Sequence, residues 1–495
     1  MTTLAATAAV DRKPDAQARN APESAGRRPF LARESGFREP RHRLSLRRNF
    51  SWLAVGNTVN AACSWGRIAL LAHLGSAEMI GQWVLALAVC TPIDTMADLG
   101  LSGSLVSDAK GQYRFGDYLG LRLATAVLAM LALSAAALVG GYPPSMTRLI
   151  LVAGLLVTLE SICDIFHALP QQHERMDLVA ISLTVRSLLG LLLFALATWL
   201  TGELIWGVCG FLAATAGVLI LFDIPCAAWL LRRGPPLPPG EGRGEGNGER
   251  TSHFHLAPRR TALTPCPSPS GRGEPRAPFR ITLRPGVLFG LAWLSLPLGV
   301  ATAGLTLTTS IPRYAVSHYL GHEALGGFAV AGGLMVATSL VVGALSQAAG
   351  PRLARYHADG DTRAFARLVL NLSVCVAGVG VAMFIVMAVA GGPILKVLYG
   401  PGFAQYAGLA ACLMLAAALR NLTVPLGRAI SSARRFRTNL AVRLAGLLVL
   451  GLLLPGWTQW LGLMGAAWAV TISWLVTAIV SAAMVLRVVR DLGAP

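Results

Sequence analysis

The sequence predicts an all-α polytopic membrane protein with about twelve transmembrane helices arranged in two six-helix lobes. Three observations lead there. Charged residues make up only 13% of the 495 and hydrophobic residues 54%, whereas a soluble protein carries roughly 25% charge. The apolar residues fall into repeated runs long enough to cross a hydrocarbon core of about 30 Å, which takes about 20 helical residues. The basic residues behind the net charge of +18 collect in alternate connections between those runs. That distribution follows membrane topology and argues against a nucleic-acid surface.

Residues 1–50 carry eleven Lys/Arg against five Asp/Glu. They lack the apolar stretch of a secretory signal, so a disordered basic cytoplasmic tail is expected. Six apolar spans follow, at about 51–73, 79–105, 118–140, 147–169, 178–200 and 204–231, making a first lobe over 51–231. Residues 232–282 are rich in Pro, Gly and Arg, a composition that cannot bury a core and reads as a cytoplasmic linker. Six more spans, at about 285–311, 325–349, 364–390, 403–420, 437–455 and 461–486, make a second lobe over 283–488, and 489–495 end as a cytoplasmic tail. The eight cysteines include no Cys-x-x-Cys pair, and His253-Phe-His255 lies in the linker, so neither a metal nor a cofactor is expected.

Orientation follows from the charges. With the N-terminus inside, 37 of the 42 Lys/Arg fall in cytoplasmic segments and only Arg148, Arg313 and Lys396 outside; Arg67 and Arg186 are the two left within spans. That bias places both termini in the cytoplasm. The halves also share a signature. His73-Leu-Gly-Ser-Ala-Glu-Met-Ile-Gly-Gln-Trp83 enters the first outside connection, and Tyr319-Leu-Gly-His-Glu-Ala-Leu-Gly-Gly-Phe328 enters its counterpart in the second half. Its recurrence at equivalent places suggests two parallel six-helix bundles.

These residues carry a resemblance. Leu70-Leu-Ala-His-Leu-Gly-Ser-Ala-Glu-Met-Ile-Gly-Gln-Trp and Ala97-Asp-Leu-Gly-Leu-Ser resemble the first two helices of Wzx-type polysaccharide (O-antigen) flippases. These belong to the multidrug/oligosaccharidyl-lipid/polysaccharide exporter superfamily. Leu296-Pro-Leu-Gly, Ala344-Leu-Ser-Gln, Pro351-Arg-Leu-Ala-Arg and Ile394-Leu-Lys-Val-Leu-Tyr-Gly-Pro-Gly-Phe agree, so the resemblance covers about 50–488 apart from the linker. It implies a MATE-like fold in the bacterial inner membrane, working by alternating access. The implied activity is moving a polyprenyl-pyrophosphate-linked oligosaccharide from the inner to the outer leaflet for polysaccharide biosynthesis. A polysaccharide polymerase and other envelope-assembly proteins are the partners that setting suggests.

A pyrophosphate crossing a bilayer needs fixed positive charge in a wet cavity, and arginine offers a planar donor fork. Arg67 in span one and Arg186 in span five are the first candidates, with Arg313 and Arg420 at the ends of spans seven and ten. Pairing with Asp94, Glu160 or Asp164, or snorkelling, is the structural alternative. Asp94 and Asp98, one turn apart in span two, are a candidate ion site or a salt-bridge partner for a cytoplasmic arginine. Pro297, Gly299 and Gly304 give span seven a candidate hinge. Trp52, Trp83, Trp457 and Trp460 fit an interfacial belt.

A cation-coupled multidrug exporter of the same superfamily is the nearest alternative and predicts a carboxylate-centred pocket. A membrane polymerase or ligase needs a catalytic outside loop, but every outside connection here is about 15 residues or shorter, with no acid/base set or Walker motif. A non-transporting scaffold is the third. The expectation is a transporter and not an enzyme.

Overall fold

The computed structural model describes residues 46–107, 113–232, 284–335, 361–432 and 436–493, with scattered positions between 338 and 357. Most of the expected N-terminal tail and nearly all of the linker lie outside the described residues. Helix α1 (Leu46–Leu74) starts inside the expected tail. It is followed by α2 (Ala77–Asp98), α3 (Leu101–Ser107), α4 (Phe115–Val139), α5 (Pro144–Gln172), α6 (Met176–Thr201), α7 (Leu204–Val218) and α8 (Ile224–Arg232). A π-helical segment, Leu219–Asp223, joins the last two. The second lobe is built from α9 (Pro285–Gly333), α10 (Thr362–Tyr399), α11 (Ala407–Ser432) and α12 (Phe436–Gly493). Helix therefore continues through most of the segment expected as a C-terminal tail.

The boundaries follow local chemistry. The Ser76 hydroxyl caps α2 by accepting from the Met79 amide at 3.2 Å, and Asp361 caps α10 through the Ala364 amide at 2.9 Å. Leu99 and Gly100 take left-handed φ of 54° and 64°, and so divide the second expected span into α2 and α3. In α9 and α12 the chain turns back within a single residue, Gly321 (φ 86°) and Gly462 (φ 60°). Each of these long helices is thus the two spans that the sequence separates there. Among the described residues eight helical stretches are long and apolar enough to cross a membrane, and the longest of them contains the Gly462 turn.

Burial divides the molecule along the membrane normal. At the end holding the 74–77 and 320–322 turns, one core runs through both lobes, uniting Leu71, Trp83 and Phe194 with Val316, Phe328 and Tyr399. At the other end there are two cores. Leu101, Phe115, Phe166 and Leu230 pack in the first lobe, joined by Leu291 of α9, while Phe365, Leu426, Ile430 and Val488 pack in the second. The lobes share one core at one end and keep separate cores at the other, where α9 of the second lobe still packs on the first. Apolar side chains such as Leu221, Leu452 and Trp460 are exposed on the outside, where hydrocarbon solvates them. Trp83 departs from the expected belt: it is buried, 6.0 Å from the Phe194 ring. The signature it belongs to faces inward, so this indole fills the core and does not anchor an interface.

Candidate functional site

The first lobe encloses a charge network. Arg122 is fully buried on α4 and lies between Asp94 and Asp98, with Nη2 3.1 Å from Asp94 Oδ1 and Nη1 3.5 Å from Asp98 Oδ1. Ser161 of α5 donates to the other oxygen of Asp94. The two carboxylates considered for an ion site thus flank a guanidinium. The charge count assigns Arg122 to the cytoplasmic connection; helix α4 begins at Phe115 and carries it two turns inward. Residues at i and i+4 share a helix face, so the Asp94/Asp98 pair was the signal for a buried cation opposite.

Arg67 and Arg186 are also sealed inside this lobe. The Arg67 guanidinium lies 4.3 Å from the centre of the Phe211 ring and donates to the Ser64 hydroxyl at 3.0 Å. Its Nε and Nη1 make no hydrogen bond among the described residues. Glu160 acts electrostatically on both arginines, and Arg186 Nη1 is buried without a hydrogen bond among the described residues. Cation–π contact and a nearby carboxylate make a buried guanidinium tolerable without a ligand. In this conformation the two face the lobe interior.

The second lobe is different. Arg313, half-buried on α9, and Arg420, whose Nη2 donates to Ser339, have no carboxylate within ion-pair distance among the described residues. Nor has Arg443, which the charge count also places in a cytoplasmic connection. It projects from within the apolar stretch Ala441–Arg490 into a small cleft with Thr308, Thr423, Trp474, Thr477 and Ser481. Arg420 is three residues from Thr423 on α11, so both side chains lie on one face of that helix. Helices α9, α11 and α12 therefore bring one cation, Arg443, and several hydroxyls around this cleft, which is donor chemistry for phosphate and sugar oxygens, while Arg420 is held at Ser339 and does not line it. Arg313 lies elsewhere on α9.

The hinge candidates fall in an unbroken stretch. Helix α9 stays helical through Pro297 to Gly304, and its only non-helical residue is Gly321. Gly299 presses against the Leu99 backbone, where a methyl group would clash, while Gly304 faces open space. At the fused end the lobes are bonded: Trp65 Nε1 donates to the Tyr399 hydroxyl at 2.6 Å, and His73 Nε2 lies 3.1 Å from the Leu398 carbonyl.

Comparison with known proteins agrees with this architecture. Solved MATE transporters share the fold. An inward-facing MATE family transporter of the MOP superfamily superposes with a TM-score of 0.62 over 89% of this chain and 99% of its own, at 12% identity. VcmN from Vibrio cholerae gives 0.56 over 90% and 97%, at 11% identity. A MOP superfamily transporter from Pyrococcus furiosus gives 0.56 over 90% and 96%, at 13% identity. The chain is a multi-pass membrane protein with a MATE-like transporter fold.

Its sequence narrows the class. Residues 46–233 match the family described as "Polysaccharide biosynthesis protein". The chain is 21% identical over 436 residues to the Staphylococcus aureus capsular polysaccharide biosynthesis protein CapF, covering 87% of this chain and 97% of CapF. The resemblance to the polysaccharide flippase family, read from the Leu-Gly signatures, is borne out.

Proposed function

We propose that the protein is a flippase that carries a polyprenyl-pyrophosphate-linked oligosaccharide from the inner to the outer leaflet of the bacterial cytoplasmic membrane. The carrying observation is in the second lobe, where Arg443 stands among the hydroxyls of a cleft and Arg420 is held by the Ser339 hydroxyl, neither with a carboxylate within ion-pair distance among the described residues. Intramembrane charge is costly and is retained where it meets a ligand or a wet cavity. The lobes, 51–231 and 283–488, are joined by a cytoplasmic linker, with both termini inside. The fused end is then the outer one, and the conformation is inward-open. Arg420 and Arg443 meet the pyrophosphate in this state. Arg313, near the outer end, meets it on the way out, and Arg67 and Arg186 become available only when the first lobe rearranges. Bending of α9 at Pro297–Gly304 accompanies the switch. The protein acts as a transporter alongside, and not in place of, the polymerase that consumes its product.

A second reading has one observation in its favour. The first lobe holds Asp94, Asp98, Glu160, Asp164 and Asp223 within its helices, the carboxylate chemistry that a cation-coupled drug exporter would use. One experiment separates the two. Proteoliposomes are loaded with a fluorescent polyprenyl-pyrophosphate oligosaccharide, and leaflet exchange is followed by protection of the label. The flippase reading expects wild-type protein to expose the label and Arg420→Ala to abolish exposure. Transport of cationic dyes with no movement of the lipid-linked sugar would transfer the assignment to the exporter.

A further inference from the structure

A histidine in the first lobe is held between two carboxylates and takes no part in the second-lobe cleft. His167 on α5 is 4% exposed. Its Nδ1 lies 3.7 Å from Asp164 Oδ1 on the same helix, and its Nε2 lies 3.6 Å from Asp223 Oδ1 and 2.9 Å from the Ser182 hydroxyl of α6. The two carboxylates differ in access. The Asp164 side chain is 56% exposed and the Asp223 side chain 3%. Asp164 and His167 line a cavity of about 450 Å³ with Asn57, Ser102 and Gln171. Its walls come from the first turns of α1 and α6, the last turns of α5, and α3, so it sits at the end where the lobes keep separate cores.

Asp223 closes the π-helical segment Leu219–Asp223. Such a segment inserts one residue into a helix and rotates the turns beyond it, and it recurs where a side chain must be re-aimed. Here it delivers a carboxylate to the far side of an imidazole. The second oxygen, Oδ2, is buried and accepts no hydrogen bond among the described residues. A buried carboxylate in that position is stable only with a counter-charge or a proton of its own. His167 is within ion-pair distance and can supply one.

We propose that His167 and Asp223 form a proton-binding site, loaded and emptied through the cavity by Asp164. A proton from cavity water is taken by Asp164 and passes to Nδ1. The imidazolium then presents its Nε2–H to Asp223 and Ser182, and release reverses the path. The two carboxylates address opposite ring nitrogens, a geometry that relays a proton and does not converge on a cation. The surrounding charges set its affinity. Asp164 is influenced by Arg186 of α6 and Arg122 of α4, and Asp94 of α2 and Glu160 of α5 interact with Asp164 in turn. Asn57 of α1, Ser102 of α3 and Cys226 of α8 are the polar groups on the remaining helices nearby. The site occupies a different cavity from the second-lobe cleft, so proton occupancy can bias the lobe without competing for transported ligand.

The test is a pH titration of the full chain in lipid nanodiscs with ¹³C-labelled histidine rings, read by NMR. Of the nine histidines, one resonance is expected to vanish in His167→Gln. In Asp223→Asn the same resonance should titrate at least about one pH unit lower, a tenfold loss of proton affinity, because the imidazolium has lost its buried anion. Ser182→Ala, which removes the hydroxyl bonded to His167, identifies the resonance independently should the glutamine variant not fold. If no resonance responds to Asp223→Asn, or if the one that responds survives in His167→Gln, the site is refuted. A second arm rests on the flippase reading: an imposed pH gradient should alter wild-type leaflet exchange and leave His167→Gln indifferent. The titration requires no transported substrate, so it decides the proton site even if the flippase reading fails.

Discussion

Gly81 of α2 and Gly326 of α9 occupy reciprocal positions. The Cα of Gly81 lies against the His322 carbonyl, and the Cα of Gly326 against the Ala77 carbonyl, so tightly that a methyl group on either would overlap the opposing oxygen. These glycines are the matching members of the two Leu-Gly signatures. The internal repeat legible in the sequence is therefore a self-complementary contact, related by an approximate two-fold axis through the fused end.

Gly81→Ala should prevent the fused end from closing while leaving each lobe folded. Overpacking of this kind costs about 1–3 kcal/mol, enough to shift a two-state equilibrium roughly tenfold or more. Leaflet exchange should fall by at least that factor, with helical content by circular dichroism unchanged. Gly378→Ala on α10, which meets open space, is the control and should behave as wild type.

Tyr399→Phe removes the hydroxyl that accepts from Trp65 and keeps the ring that packs at 6.0 Å. One such bond contributes about 1 kcal/mol, so the fused end should open several-fold more often. Hydrogen–deuterium exchange of the 74–77 and 320–322 turns should accelerate while the α5–α6 connection is unaffected. Equal protection in both proteins would show that the bond does not hold the lobes together.

Arg122→Ala leaves Asp94 buried beside Asp98 with its counter-charge gone. Breaking a buried pair on one side costs about 3–5 kcal/mol, and the thermal unfolding temperature in detergent should drop sharply. Arg122→Met combined with Asp94→Leu should recover most of the loss, because two apolar groups need no compensation. A double variant no better than the single would mean that the pair serves packing alone.

Arg443→Ala should remove transport without lowering the unfolding temperature, since its guanidinium has no carboxylate partner among the described residues. Arg443→Lys should restore only part of the activity, because an ammonium keeps the charge and loses the planar fork. Arg67→Ala should instead reduce stability, through the lost contact with Phe211.

Much of this fold was legible because the bilayer leaves few options: apolar runs of sufficient length become helices, and basic residues mark one side. The turns at Gly321 and Gly462 fall where the spans divide. What escaped were charges near helix ends. Arg122 and Arg443 sit two turns or less inside their helices, and hydropathy alone does not tell that Arg122 is buried while Arg443, though exposed, lines a cleft. The missing information was the partner: Asp94 and Asp98 for the one, a hydroxyl-lined cleft for the other. The Asp223–His167 pairing escaped for another reason. Asp223 closes one irregular helical turn, and nothing in Leu219-Ile-Leu-Phe-Asp departs from an ordinary apolar helix.

That irregular turn has a genetic consequence. Ile220 and Leu221 point outward into hydrocarbon, and deleting either would cost little in buried contacts. It would return the segment to regular helix with Asp223 still close to its present angle, because the wide i→i+5 turn already holds one residue more than an ordinary turn. A related chain one residue shorter between Val218 and Asp223 would keep every apolar span and still hold its carboxylate toward the first-lobe interior. Helix length can therefore drift by one residue at this turn without unpairing His167 from its buried carboxylate.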